Sequence, residues 1–249
     1  EREFVIMFAF KSDIGKIRER NEDTTCIIEN DNNDFFMLVF DGMGGHKKGD
    51  IASKLAEQNM VKAFKQKKKF YGKLDMFLWL KKLVKNTNKL LNKYSSENNS
   101  SRGMGTTFSC FLVHHKITLM CYIGDTRCYL INKSKLIQKS IDETYVEYLY
   151  ETGQITKEQK LHHPSNNVIT NALGCYSSVK VNLKFIKEDY DYLFLCSDGL
   201  YNMVNDDNII EIIMENDTLI NKINKLIDLA NENGGRDNIA IALYSKGEF

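Results

Sequence analysis

Apolar positions gather in short runs along the chain, at 3–10, 24–29, 35–40, 106–113, 117–123, 127–132, 180–186, 192–196 and 238–244. These runs are rich in Val, Ile, Phe, Tyr, Thr and Cys, which suit a pleated, packed surface, so each predicts a strand. Between the third and fourth runs the period changes. Ile51, Leu55, Met60 and Phe64, then Phe77, Leu80, Val84 and Leu91, recur at helical spacing and predict two long helices. Near the C-terminus, Asp206 is placed to cap a helix carrying Ile209, Ile210 and Ile213. Asn216 or Asp217 is placed to cap another carrying Ile220, Ile223, Ile227 and Ala230. Strands in sequential clusters, without regular βαβ alternation, predict an α+β fold of mainly antiparallel sheets with helices outside. Residues 141–172 differ. Two short helical stretches, Gly153 as a helix stop and Thr156-x-x-Gln159 as a capping box predict a small flap inserted on the main body.

Composition narrows this picture. With 249 residues, 43% of them hydrophobic, the chain can bury a large core without disulfides or a structural metal. No Pro/Gly/Ser-rich linker interrupts it, so a single domain over 1–249 is expected, with the flap at about 141–172. Thirty-four basic against 33 acidic residues leave a net charge of +1, which offers no long-range field to nucleic acid or an anionic membrane. The run Lys65–Lys69, with Lys62, reads as a solvated helix end. No stretch approaches the roughly 20 apolar residues of a membrane span. Cys26, Cys110, Cys121, Cys128, Cys175 and Cys196 form no CxxC pair, and most lie inside strand-like runs. They are expected as buried reduced thiols, and with no signal-peptide pattern at the start of the sequence a cytoplasmic protein is expected. His162-His163 beside Pro164 reads as a loop, His114-His115 as an in/out strand pair, and Trp79 as helix packing.

The candidate chemistry lies at strand ends. The run Phe35–Phe40 stops at Asp41-Gly42-Met43-Gly44-Gly45-His46, and 192–196 runs into Ser197-Asp198-Gly199. Each reads as a buried central strand that delivers a carboxylate and then turns on glycine. Glu22-Asp23 precedes the run at 24–29, Asp237 precedes the last run, and Asp125 lies between two runs. An isolated Asp-Gly is usually a turn. Several carboxylates converging cannot all stay ionised without compensation, and a divalent cation supplies it. All-oxygen ligation points to magnesium or manganese. The residues alone therefore reach a metal-assisted hydrolase of an anionic substrate, with phosphate the leading candidate.

These residues, in this order, resemble the metal-dependent Ser/Thr protein phosphatases of type 2C, bacterial-type branch. The motifs are Ser12-Asp13-Ile14-Gly15 with Arg18-Glu19-Arg20-Asn21-Glu22-Asp23, Asp41 to His46 with Gly49, Ala52 and Ser53, Gly103-Met104-Gly105-Thr106-Thr107, and Gly124-Asp125-Thr126-Arg127. Gly153-Gln154-Ile155-Thr156, His163-Pro164, Asn167-Val168-Ile169-Thr170, Ala172-Leu173-Gly174, Ser197-Asp198-Gly199-Leu200 and Gly235-Arg236-Asp237-Asn238 complete the set. The resemblance implies a four-layer α-β-β-α sandwich with two manganese or magnesium ions in the cleft between sheet edges, and a third, weaker ion. It implies that Asp41 bridges two ions and that the Gly42 carbonyl ligates one. Asp198 and Asp237 would hold one metal, Glu22 would reach the other through water, and Asp23 would support that shell. Asp125 would bind the third with Asp198. Arg18 would grip the substrate phosphate with its planar fork, and His46 would protonate the departing Ser or Thr oxygen.

By the same resemblance, a metal-bridging hydroxide attacks phosphorus in line, without a phosphoenzyme. The implied substrates are proteins phosphorylated by a Ser/Thr kinase, acted on by a monomer. Two positions depart from the bacterial-type pattern: Glu143-Thr144 stands where His then Ser is usual, and Asn171 where Arg is common. Both lie in or beside the flap, which leaves the chemistry intact and puts substrate recognition in question. Two alternatives stay open: a catalytically silent pseudo-phosphatase scaffold, and a hydrolase of a small phosphorylated metabolite.

Overall fold

The computed structural model describes residues 8–44 and 48–247. In chain order the elements begin with β1 (Phe8–Asp13), β2 (Thr24–Glu29), β3 (Phe35–Phe40), β4 (Gly42–Met43), α1 (Gly49–Gln66) and α2 (Lys73–Glu97). Next come β5 (Gly105–Thr106), β6 (Phe108–His114), β7 (Ile117–Ile123), β8 (Arg127–Asn132), β9 (Lys135–Gln138), α3 (Tyr145–Glu151) and α4 (Lys157–Leu161). The chain finishes with β10 (Asn182–Ile186), β11 (Tyr192–Cys196), α5 (Asp198–Tyr201), α6 (Asp206–Met214), α7 (Leu219–Glu232) and β12 (Ile239–Ser245). Two five-stranded antiparallel sheets, ordered β1-β12-β11-β8-β9 and β10-β7-β6-β3-β2, carry the architecture, with a small β4-β5 ribbon beside them.

The period of two along each strand explains the four layers. In β3, Phe36, Leu38 and Phe40 pack outward against α1 and α2 through Ala56, Met60, Phe64, Leu80 and Val84. The alternate residues Phe35, Met37 and Val39 face inward, where they meet Leu193, Leu195, Ala240 and Ala242 of the other sheet. That second sheet turns Phe194, Cys196, Ile241 and Leu243 outward against Leu200, Ile209, Ile213, Ile223 and Ile227. Strands buried on both faces read as unbroken apolar runs for this reason, although their pairing is antiparallel.

The first expected strand begins outside the described residues; its observed part runs from Phe8 to Asp13. Both predicted C-terminal helices form, each with its cap beside the predicted residue. Asn205 accepts the Asn208 amide at 2.8 Å, and Thr218 accepts that of Asn221 at 3.3 Å. The segment 141–172 holds α3 and α4, with Gly153 at φ +71° and the Thr156–Gln159 capping box closed at both ends. Its two arms meet in the Thr144–Ile169 bridge. Strand β9 was not predicted, since its edge position exposes Lys135, Ile137 and Gln138 and leaves little apolar signal. Five of the six cysteines are buried, while Cys175 is exposed; all are free thiols. His114 is buried on Asp34 at 2.6 Å, and His115 sits in the following turn at φ +51°. No helix among the described residues is long and apolar enough to cross a membrane.

Candidate metal centre

Antiparallel pairing sets the end of one strand beside the start of its neighbour, and this gathers the carboxylates. Phe40 pairs with Thr24, so Asp41, just past β3, lies at the same sheet end as Asp23, just before β2. Cys196 pairs with Arg127 and with Ile241, which brings Asp198 to the end where Asp125 precedes β8 and Asp237 precedes β12. Six acidic side chains from five strand ends thus open on one edge of the sandwich.

Their electrostatics follow from that crowding. The Asp41 carboxyl is held well above the usual range by burial, then by the charges of Asp23, Asp198, Asp125 and Asp237. Asp23 is raised likewise, by burial first and by Asp198 and Asp237 after it, and Ser197 offers only partial relief. Burial and Asp237 push Asp198 up to about 6; burial and Asp198 push Asp125 up to about 8. Glu22 is raised by burial and Asp50, and its carboxylate accepts the Gly49 amide at the start of α1. Among the described residues the cation in contact is Arg18, whose Nη2 donates to Asp237 Oδ2 at 2.7 Å while the side chain stays 54% exposed.

Neighbouring loops are braced by hydrogen bonds. Asn238 Oδ1 accepts the Glu22 amide at 2.8 Å, and its Nδ2 donates to the carbonyls of Ile14 and Arg20 at 2.8 Å each. The Asp41 carbonyl accepts from the Thr107 amide and the Thr106 hydroxyl, and the Thr107 hydroxyl accepts the Asp41 amide. Two glycines act differently from expectation. Gly42 and Gly199 were read as turn residues, yet neither has positive φ. A Cβ on Gly199 would lie 2.0 Å from the Asn238 carbonyl, and one on Gly42 would lie 2.3 Å from that of Gly49. Both are required by close backbone approach, and Asp198 opens the short helix α5 instead of a glycine turn.

The donors are carboxylates and carbonyls, which suit hard divalent cations. Asp23 Oδ2 and Asp125 Oδ1 are buried without a hydrogen-bond partner, as expected of groups whose counterpart is a cation. Among the described residues, no three His, Cys, Asp or Glu side chains stand ready as a ligand cluster. The arrangement fits a metal whose shell is completed by water and backbone. His46 lies outside the described residues.

Three further features carry residues to which the sequence assigned no role. Asn238 is the brace just described. Arg127 grips Asp142 at 2.7 and 3.1 Å, and its guanidinium lies 3.5 Å from the centroid of the Tyr201 ring. The Tyr201 hydroxyl in turn donates to the Asp125 carbonyl at 3.2 Å. The two departures noted in the sequence touch each other. Asn171 Nδ2 donates to Glu143 Oε2 at 2.7 Å, and the same oxygen accepts the Gly124 amide at 3.0 Å. Asn182 donates to Oε1 at 2.9 Å. Glu143 therefore ties the base of the 141–172 excursion to the loop that carries Asp125.

Comparison with known proteins finds phosphatases among the relatives of this chain. The chain is 36% identical over 238 residues to a serine/threonine phosphatase, stp, of Listeria monocytogenes, covering 95% of this chain and 94% of that protein. It superposes on the crystal structure of serine/threonine phosphatase Stp1 from Staphylococcus aureus with a TM-score of 0.90, at 34% identity, covering 97% and 95%. A catalytic domain of the phosphatase PstP, solved in complex with two manganese ions, matches with a TM-score of 0.81 at 27% identity and 96% coverage of each chain. The sequence profile described as protein phosphatase 2C spans residues 17–242, and with this match the chain belongs to the protein phosphatase 2C family.

Proposed function

We propose that this protein is a metal-dependent phosphatase of phosphoserine and phosphothreonine in proteins. The observation that carries the reading is the set of mutually repelling, under-compensated carboxylates around Asp41. Family membership supports it, as do the phosphatase names of the relatives and the two manganese ions in the related PstP structure. In this reading Asp41 and the Gly42 carbonyl would help to hold manganese or magnesium ions. Asp198, Asp237, Glu22 and Asp23 would complete their holding, and Asp125 with Asp198 would hold a third. When bound, the ions supply positive field and an activated water for attack on phosphorus.

The chain's own residues do the rest. Asp41 is fixed through its backbone by Thr106 and Thr107, so its carboxylate is held in place before substrate arrives. Arg18 is half-exposed over the acidic cluster and exchanges Asp237 for phosphate oxygens, which its planar fork matches two at a time. His46, by the family resemblance, gives a proton to the departing alkoxide. The substrates are phosphoproteins made by a Ser/Thr kinase.

Hydrolysis of a phosphothreonine peptide with manganese, with EDTA, and by the Asp198→Asn protein tests the reading. Turnover with manganese alone supports it; no turnover in the wild type overturns it, and equal turnover in the variant removes the ligand assignment. His46→Ala should slow an alkyl phosphate ester more than an aryl one, because a phenolate leaves without a proton. Equal losses on both would remove His46 from that role.

A further inference from the structure

The net charge of +1 is an average over two very unequal parts. Residues 61–93 contain eleven lysines and one carboxylate, Asp75, leaving 23 basic against 32 acidic residues for the other 216 positions. The structure folds this segment into one layer, the end of α1 and most of α2, packed on the sheet through Met60, Phe64, Leu80, Val84 and Leu91. The lysines cannot enter that packing, so they are driven to the outer face. Lys62, Lys65, Lys68, Lys69, Lys73, Lys81, Lys82, Lys85, Lys89 and Lys93 are exposed. Asp75 is already matched by Lys67 at 2.9 Å. Lys81, Lys82, Lys85 and Lys89, with Leu78, line one shallow groove along α2.

The same face carries an apolar group with no packing role. Tyr71 is 80% exposed, Leu74 72% and Leu78 55%. Leu74, Leu78 and Lys82 follow at i, i+4 spacing, so apolar tip and ammonium groups share one side of the helix. α1 starts at Gly49 beside the Glu22 carboxylate and reaches Lys65 sixteen residues, about 24 Å, later, and α2 runs back along its outer side with Thr87 opposite Asn59, so the lysines lie on the outer helical layer and Lys65 stands far from the carboxylate site.

We propose that the outer face of α2, with the end of α1, docks on an anionic lipid surface. Long flexible lysines serve as point charges toward a diffuse anionic plane and bury their stems alongside inserted leucine and tyrosine. Protein interfaces are depleted in lysine and favour arginine, and the segment contains no arginine. Docking would be peripheral and reversible, salt-sensitive, and independent of any membrane span.

The test is co-sedimentation of the whole protein with vesicles of phosphatidylcholine plus phosphatidylglycerol, and with vesicles of phosphatidylcholine alone. Binding to the anionic vesicles only, weakening as salt rises, is the expected result. A protein carrying Lys81→Gln, Lys82→Gln, Lys85→Gln and Lys89→Gln should bind about a thousandfold more weakly, since it lacks four of the lysines that face such a surface. Leu74→Ser with Leu78→Ser should lose about tenfold while keeping the salt dependence. All six are exposed side chains, so an unchanged melting temperature certifies the fold. No binding to anionic vesicles, equal binding to neutral ones, or unchanged binding by the lysine variant overturns the proposal. Capture of duplex DNA or polyglutamate in place of vesicles would overturn it in favour of another polyanion. Sedimentation needs no turnover, so a failed phosphatase assay leaves this readout intact.

Discussion

Two groups of buried carboxylates lie close together in this molecule under opposite conditions. Around the start of the 141–172 excursion, Asp142 is clasped by Arg127 and Gln138, and Glu143 accepts from Gly124, Asn171 and Asn182. At the strand ends, Asp23, Asp41, Asp125 and Asp198 face mainly each other, and Asp23 and Asp125 each keep an oxygen without a partner. Residue type and depth are similar. What differs is whether folding itself brings the compensating donors. The first group is complete once the chain folds and serves to position loops. The second remains frustrated until a cation arrives, which is the condition expected of a binding centre.

The sharpest way to break this contrast is to remove one charge from each group. Asp198→Asn should cut manganese-dependent turnover about a thousandfold, because several kcal/mol of transition-state stabilisation depends on the metal. The same substitution should raise the melting temperature of the EDTA-treated protein near pH 8, by relieving repulsion. A lower melting temperature there would mean that Asp198 is already satisfied. At the other group, Arg127→Met leaves Asp142 buried without its cation. That costs about 3 kcal/mol and lowers the melting temperature by roughly 10 °C, read by calorimetry.

The pH dependence of the metal-free protein sharpens the contrast further. Asp198 titrates at about 6 and Asp125 at about 8, both above the ordinary 3.8 of an unfolded chain. The folded state therefore holds protons that the unfolded state has released, and stability falls as pH rises from about 4 through 8. Saturating manganese should flatten that slope. A metal-free melting curve that rises over this range would reverse the sign and remove the repulsion account. The smallest effect is expected from Glu143→Gln. One amide nitrogen would face a donor, costing about 2 kcal/mol, and Mn²⁺ affinity measured by titration should change more than the Tm if Glu143 positions the Asp125 loop.

Much of this was legible in the sequence because the signals were local. A run such as Phe35–Phe40 can only be a strand buried on both sides, and it ends abruptly at Asp41. The antiparallel register that joins Asp23 to Asp41 is a long-range property that no local pattern encodes, so convergence followed from resemblance more than from periodicity. Helix caps were placed within a residue or two, since Asn205 and Thr218 compete with adjacent acids for the same amide. The exposed edge strand β9 left almost no apolar trace. Gly42 and Gly199 carried the signature of turns, while the constraint on them is a carbonyl from a distant loop. The lysine face was hidden by averaging: a neutral total concealed an acidic cleft and a basic helical layer.

The position of β12 has a consequence for how the protein is made. This strand lies between β1 and β11, and Asp237 and Asn238 lead directly into it. Asn238 then reaches back to Ile14, Arg20 and Glu22, more than 200 positions earlier in the chain. Synthesis proceeds from the N-terminus, so the cleft stays open-sided until β12 has left the ribosome. A nascent chain, or one clipped before residue 237, retains all seven α-helices of the described residues and five of its six acidic site residues but has no finished centre. A finished carboxylate centre is thereby tied to the synthesis of β12, and the earlier strands and helices can form without it.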